Sequence, residues 1–152
     1  MKKDIKKKKA LVIFLIILAV VILDQLMKYL VVKRIEPGGQ ISLINNFLYL
    51  THVHNFGAAF SLFQGAAGLI IWFSVIVIGI ILYFYDKLPD LKYAQASASL
   101  LLGGIIGNLI DRIRLGYVID FIDFRFWPAF NVADIAITAG VIGLIIYFIK
   151  KR

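Results

Sequence analysis

Residues 65–85, GAAGLIIWFSVIVIGIILYFY, run without a single charge. That matches the roughly 20 apolar residues a helix needs to cross a bilayer. Inside lipid a backbone must satisfy its own hydrogen bonds, which leaves helices and closed barrels as the available folds. Three more segments read the same way. Residues 10–32 continue from ALVIFLIILAVVIL into an amphipathic DQLMKYLVV, and no small-x-small cleavage site follows the apolar part, so a retained first span is expected. Residues 93–111 are rich in Ala, Ser and Gly, and Gly103 and Gly107 form a GxxxG pattern that permits close helix packing. Residues 131–149 supply the last span. The hydrophobic share of 61% supports this, as does a mean hydropathy of +0.89. The expectation is an all-α polytopic membrane protein, one integral membrane domain over 1–152, with four transmembrane helices.

Between the first two spans lies a long connector. Pro37-Gly38-Gly39 and Asn45-Asn46 are turn signals, and QISLI and FLYLTHVH are β-branched and aromatic with partial alternation. A small extracytoplasmic β-hairpin or sheet over about 35–60 is expected there. DKLPDLK, with Pro89, reads as a polar loop ending the second span.

The net charge of +8 suggests nucleic acid until it is located. It sits in the lysine-rich first nine residues and in Lys150, Lys151 and Arg152, while residues 10–149 balance to zero. Basic tails around apolar spans are a topology signal and place both termini in the cytoplasm. Nucleic acid is not an expected partner. Cysteine is absent from the chain, so disulfides and thiol chemistry are excluded.

The polar residues then stand out. The stretch 103–134 holds Asp111, Asp120, Asp123 and Asp134 together with Asn108, Asn131, Arg112, Arg114 and Arg125. Ionisable groups at membrane depth are costly and read first as functional. At about 1.5 Å per residue, Asp24 lies roughly 21 Å beyond Ala10, and Asp134 roughly 22 Å from Ile149. Asn108 and Asp111 close the outer end of the third span. Three segments thus place their polar groups in one outer-leaflet layer. Asn108 shares a helix face with Asp111, and Asn131 with Asp134. Asp24 and Lys28 are spaced to pair, and Arg112 can neutralise a carboxylate beside it.

A Ser-His-Asp triad fits poorly, because His52 and His54 share one strand. They read as residues of a solvated surface strand; as a metal site they lack a nearby carboxylate in sequence. A Ser61/Lys28 dyad is a weak alternative. Paired carboxylates remain: two held close share one proton, one activating water while the other donates. Asp24 and Asp111 read as structural ion-pair members. Asp120 and Asp134 stay open between catalytic and structural roles. Proton or cation transport through such carboxylates is a second class of function, and a non-catalytic assembly factor a third.

DQLMK at 24–28, NFGAAFS at 55–61, GGIIGNLIDR at 103–112, VIDFID at 118–123 and FNVAD at 130–134 together resemble lipoprotein signal peptidase, the signal peptidase II family, over roughly residues 10–150. The resemblance implies an aspartic endopeptidase of the bacterial cytoplasmic membrane. Its dyad would fall on Asp120 and Asp134, with Asp123 three residues away as the competing register. Asn108, Asn131 and Arg112 would support the dyad or substrate, and Asp24, Lys28 and Asn55 would surround the site. The implied substrate is a prolipoprotein cut just before a cysteine carrying diacylglycerol, near the outer leaflet. Membrane lipids are the other expected partner, no cofactor or metal is implied, and nothing requires more than a monomer. The hairpin and the FRFWPAF loop at 124–130 are expected to clamp substrate from above.

Overall fold

A computed structural model describes the backbone of residues 2–57, 67–85 and 92–150. Ser61, the second half of NFGAAFS and residues 86–91 of the DKLPDLK loop lie outside the described residues. The elements run α1 (Lys2–Arg34), β1 (Gln40–Ile44), β2 (Leu48–Asn55), α2 (Ala67–Tyr85), α3 (Lys92–Leu115), β3 (Val118–Asp123) and α4 (Val132–Lys150). Three of the helices carry membrane-length apolar stretches, Ala10–Arg34, Tyr93–Leu115 and Val132–Lys150; the apolar part of α2, Gly68–Phe84, is shorter. Leu69, Trp72, Phe73, Ile76 and Tyr83 of α2 point outward, as lipid-facing side chains do.

The helix at the centre is α3. Its small residues Ala94, Ser97, Ala98 and Ser99 are buried, and Ser99 Oγ donates to the Gln95 carbonyl at 2.7 Å. A Cβ on Gly103 would fall 2.9 Å from Val20 Cβ of α1, and one on Gly104 would meet the Ala133 carbonyl and Ile137 of α4. Gly140 of α4 returns the fit: a Cβ there would lie 2.6 Å from the Ser97 carbonyl. These absences of side chain let three backbones approach closely, which is how helices associate where lipid removes the hydrophobic drive.

The connector is the expected hairpin, turning at Asn45-Asn46 with Asn46 at φ 60°. Gly38, at φ 78°, bends the chain off α1. Between α3 and α4 the chain is not all loop. It contributes β3, and the antiparallel order is β1-β2-β3. Val53 pairs with Asp120, and Asn55 with Val118. The far edge of β3 is covered by Phe130, whose backbone exchanges hydrogen bonds with Ile122 at 2.8 and 3.0 Å. Val31 and Ile35 pack on Phe121 with Met27, Leu50, Ile122 and Val132 around them. This cluster fastens the sheet to the C-terminal end of α1 and the N-terminal end of α4.

Candidate active site

The start of α4 supplies the first carboxylate. Asn131 is the residue before the helix and Asp134 the third within it. Asn131 Oδ1 accepts from Asp134 N at 2.9 Å, and Asp134 Oδ2 accepts from Asn131 N at 3.1 Å. This is a reciprocal capping box written with Asn and Asp. The intervening N–H, of Ala133, goes to Asp24 Oδ1 of α1 at 2.9 Å. Three orphan donors of the helix start are thereby satisfied, and two carboxylates face its positive end.

The second carboxylate comes from β3. Asp120 is 2% exposed. Its Oδ1 accepts from Asn131 Nδ2 at 2.7 Å and its Oδ2 from Asn55 Nδ2 at 2.8 Å. Asn131 therefore holds both aspartates, one by its side-chain amide nitrogen and one through the cap. Asp120 is pushed up from 3.8 to about 7, by burial first and by the Asp134 charge second, against the opposing amide hydrogen bonds and the Lys28 charge. Asp123 lies elsewhere. It accepts from Arg125 N at 2.7 Å and stands 3.5 Å from the Arg125 guanidinium.

A buried ion cluster backs the pair. Lys28, 2% exposed, has its Nζ 2.7 Å from Asp24 and 2.8 Å from Asp111. The expected Asp24–Lys28 pair is present. Among the described residues Asp111 pairs with Lys28 rather than with Arg112, because Lys28 projects between α1 and α3 while Arg112 turns to the cavity. Arg112 Nη1 makes a long contact, 3.5 Å, to the Asn108 carbonyl. Lys28 Nζ also donates to Asn108 Oδ1 at 3.1 Å, and Asn108 Nδ2 donates to Asp134 Oδ1 at 2.7 Å. An ammonium only donates, so Lys28 fixes which end of the Asn108 amide faces Asp134. Gln25, which sequence reasoning passed over, donates to Asp111 at 2.9 Å and to the Gly107 carbonyl at 3.2 Å. Its position inside DQLMK is the one signal that could have found it.

Asn55, Asn108, Arg112, Asp120 and Asp134 line one cavity of about 530 Å³. Asp24 and Lys28 stand behind its wall, and Asn131 is fully buried beneath it. Trp127, Pro128 and Phe130 cover one side; Ser74, Ile105, Ile137 and Thr138 extend it down among α2, α3 and α4. The histidines depart from the solvated strand expected of them. His52 is 4% exposed, and its Nδ1 lies 2.7 Å from the Ile35 carbonyl; His54 stacks on Tyr117 at 3.9 Å and lines the cavity. Burial and then the neighbouring His52 lower the His54 value below the ordinary imidazole one. The sheet packs down on α1, which closes the face that hydropathy alone left open.

A buried and a half-buried carboxylate on one half-apolar cavity suit acid–base attack on a carbonyl by water. Residues 16–150 match the family described as Signal peptidase (SPase) II. A protein of Halothermothrix orenii named lipoprotein signal peptidase is 41% identical over 140 residues, covering 92% of this chain and 97% of that one. One of the same name from Caldanaerobacter subterraneus is 48% identical over 128 residues, covering 84% and 88%. Two solved bacterial membrane enzyme structures, each 35% identical, superpose with TM-scores of 0.85 and 0.82, covering 91% and 93% of this chain and 88% and 94% of theirs.

Proposed function

The chain belongs to the signal peptidase II family, and we propose that Asp120 and Asp134 are the dyad with which it removes the signal peptide of a prolipoprotein. It is a multi-pass membrane protease of the aspartic class. The observation that carries the dyad is the shared Asn131, which ties both carboxylates to one amide side chain and its backbone. One carboxylate takes a proton from water as the water attacks the scissile carbonyl, and the other donates its proton to the carbonyl oxygen. Collapse of the tetrahedral intermediate then returns a proton to the departing amine. Asn55 and Asn108, donating to the carboxylates at 2.8 and 2.7 Å, hold the lone pairs in register.

The substrate is cut just before its diacylglyceryl cysteine. The apolar lower walls, Ile105 and Ile137, receive acyl chain and signal helix from within the bilayer, while the carboxylates sit at the watered outer end. The enzyme works as one domain and as a monomer in the cytoplasmic membrane, with both termini inside. Its test is cleavage of a diacylglyceryl-modified prolipoprotein by purified protein in detergent. Asp120→Asn and Asp134→Asn are each expected to lose at least about 100-fold in turnover, whereas Asp123→Asn retains it. Retained turnover in Asp120→Asn with loss in Asp123→Asn would place the register three residues along β3.

A further inference from the structure

The dyad uses neither histidine. His52 and His54 flank Val53 on β2, so their imidazoles share one face of the strand. The two Nε2 atoms are 3.1 Å apart. A backbone carbonyl only accepts, so the 2.7 Å contact to Ile35 places the His52 proton on Nδ1 and leaves its Nε2 lone pair aimed at His54. The His54 ring is held by its stack on Tyr117, and His54 is among the residues that line the cavity.

We propose that His52 and His54 form a binding site for a borderline divalent transition-metal ion such as zinc(II) or copper(II), and that metal bound there inhibits the enzyme. Two imidazole nitrogens on a tetrahedral zinc, each at about 2.0–2.1 Å, stand roughly 3.3 Å apart. The existing pair has to open only slightly to admit the ion. Imidazole suits these metals, and a ligating histidine commonly donates its other N–H to a backbone carbonyl, as His52 does to Ile35. Binding moves the His54 proton from Nε2 to Nδ1, with no net release. Among the described residues no cluster of three or more His, Cys, Asp or Glu is placed to hold a metal, so water from the cavity completes the coordination. Such a site exchanges its ion and serves no step of the reaction. Asn55, the donor to Asp120, is the next residue on β2 and projects from its other face, so an ion that opens the histidine pair acts on the dyad through the backbone the two residues share. The binding half stands on the histidine geometry alone; the inhibition half rests on the proteolytic reading.

The test is calorimetric titration of untagged, metal-free protein in detergent with zinc chloride, alongside copper(II) electron paramagnetic resonance. His54→Phe preserves a ring against Tyr117. Wild type is expected to bind one zinc and to show two nitrogen ligands on copper. His54→Phe is expected to bind at least about tenfold more weakly, since even losing a partner behind a ligand costs 10–100-fold. Zinc is expected to slow wild-type cleavage reversibly by chelator, and to leave the His54→Phe rate close to that variant's own zinc-free rate. Equal zinc affinity in the two proteins, or no binding to folded wild type, overturns the site. Binding through the pair with unchanged cleavage overturns the inhibition. Absence of cleavage with and without zinc would instead count against the proteolytic reading, with the binding result still legible.

Discussion

Lys28 is the residue on which several contacts converge. It is buried with Asp24 and Asp111 on either side and sets the orientation of Asn108. Removing one partner of a buried ion cluster leaves uncompensated charge, so Lys28→Met is expected to destabilise the fold by about 3–5 kcal/mol. Thermal unfolding in detergent measures it; an unchanged Tm would mean that the cluster carries no such weight. Asp120 has the opposite character. Its folded-state value near 7 lies above the ordinary 3.8, so the native state binds more protons than the unfolded one between those limits. The favourable contribution of this group is full below about pH 4 and is lost as pH rises towards 7. Wild-type Tm is therefore expected to fall more steeply from about pH 5 to about pH 7.5 than that of Asp120→Asn, which cannot titrate there. Turnover is likewise expected to decline above about pH 7 as the shared proton is lost.

Among the elements, α4 joins stability to chemistry. Asn131→Asp keeps the oxygen that accepts from Asp134 N but loses the amide that donates to Asp120. The helix cap, worth about 0.5–2 kcal/mol, should survive while turnover falls. Circular dichroism and cleavage on one preparation separate the two, and loss of helix together with activity would make Asn131 a capping residue alone. The α3–α4 contact gives a paired comparison. Gly104→Ala drives a methyl against the Ala133 carbonyl and Ile137, whereas Gly79→Ala on α2 meets nothing within 4 Å. The first is expected to cost about 1–3 kcal/mol through overpacking and to weaken the Asn108–Asp134 bond that spans the two helices. The second is expected to be neutral. Equal effects would disconnect that contact from the site.

At the scale of the whole molecule, the hairpin and the aromatic loop are stitched together. Phe47 meets Phe124 at 5.4 Å, the Arg125 guanidinium lies 3.6 Å from the centre of the Tyr49 ring, and Arg125 Nη2 donates to Gln40. The same loop continues to Trp127 and Phe130 on the cavity wall. Shortening 37–46 is expected to raise KM or lower turnover; unchanged kinetics would remove the clamp. Orientation is testable because the chain has no cysteine of its own. With Asn45→Cys, at the exposed hairpin turn, an impermeant maleimide is expected to label intact cells. Labelling only after lysis would put the hairpin inside.

The spans were legible because lipid leaves a chain few folds, and hydropathy reads that constraint directly. That polar groups of three segments share one layer followed from the fixed rise of a helix; Asn131 and Asp134 were read as neighbours on a helix face, and the structure makes them a cap instead. The third strand was not: Gly116, at φ 81°, marks where α3 ends, but the pairing of VIDFID with β2 depends on how the sheet sits against the helices. The partner of Asp111, the place of Gln25 and the burial of His52 were equally beyond reach, for each depends on distances between helices or between sheet and helix. Sequence determined which groups lie at a given depth, since depth is counted along one element. Only tertiary structure decided which of them meet, since a hydrogen bond between elements is set by how their backbones pack, here through Gly103, Gly104 and Gly140.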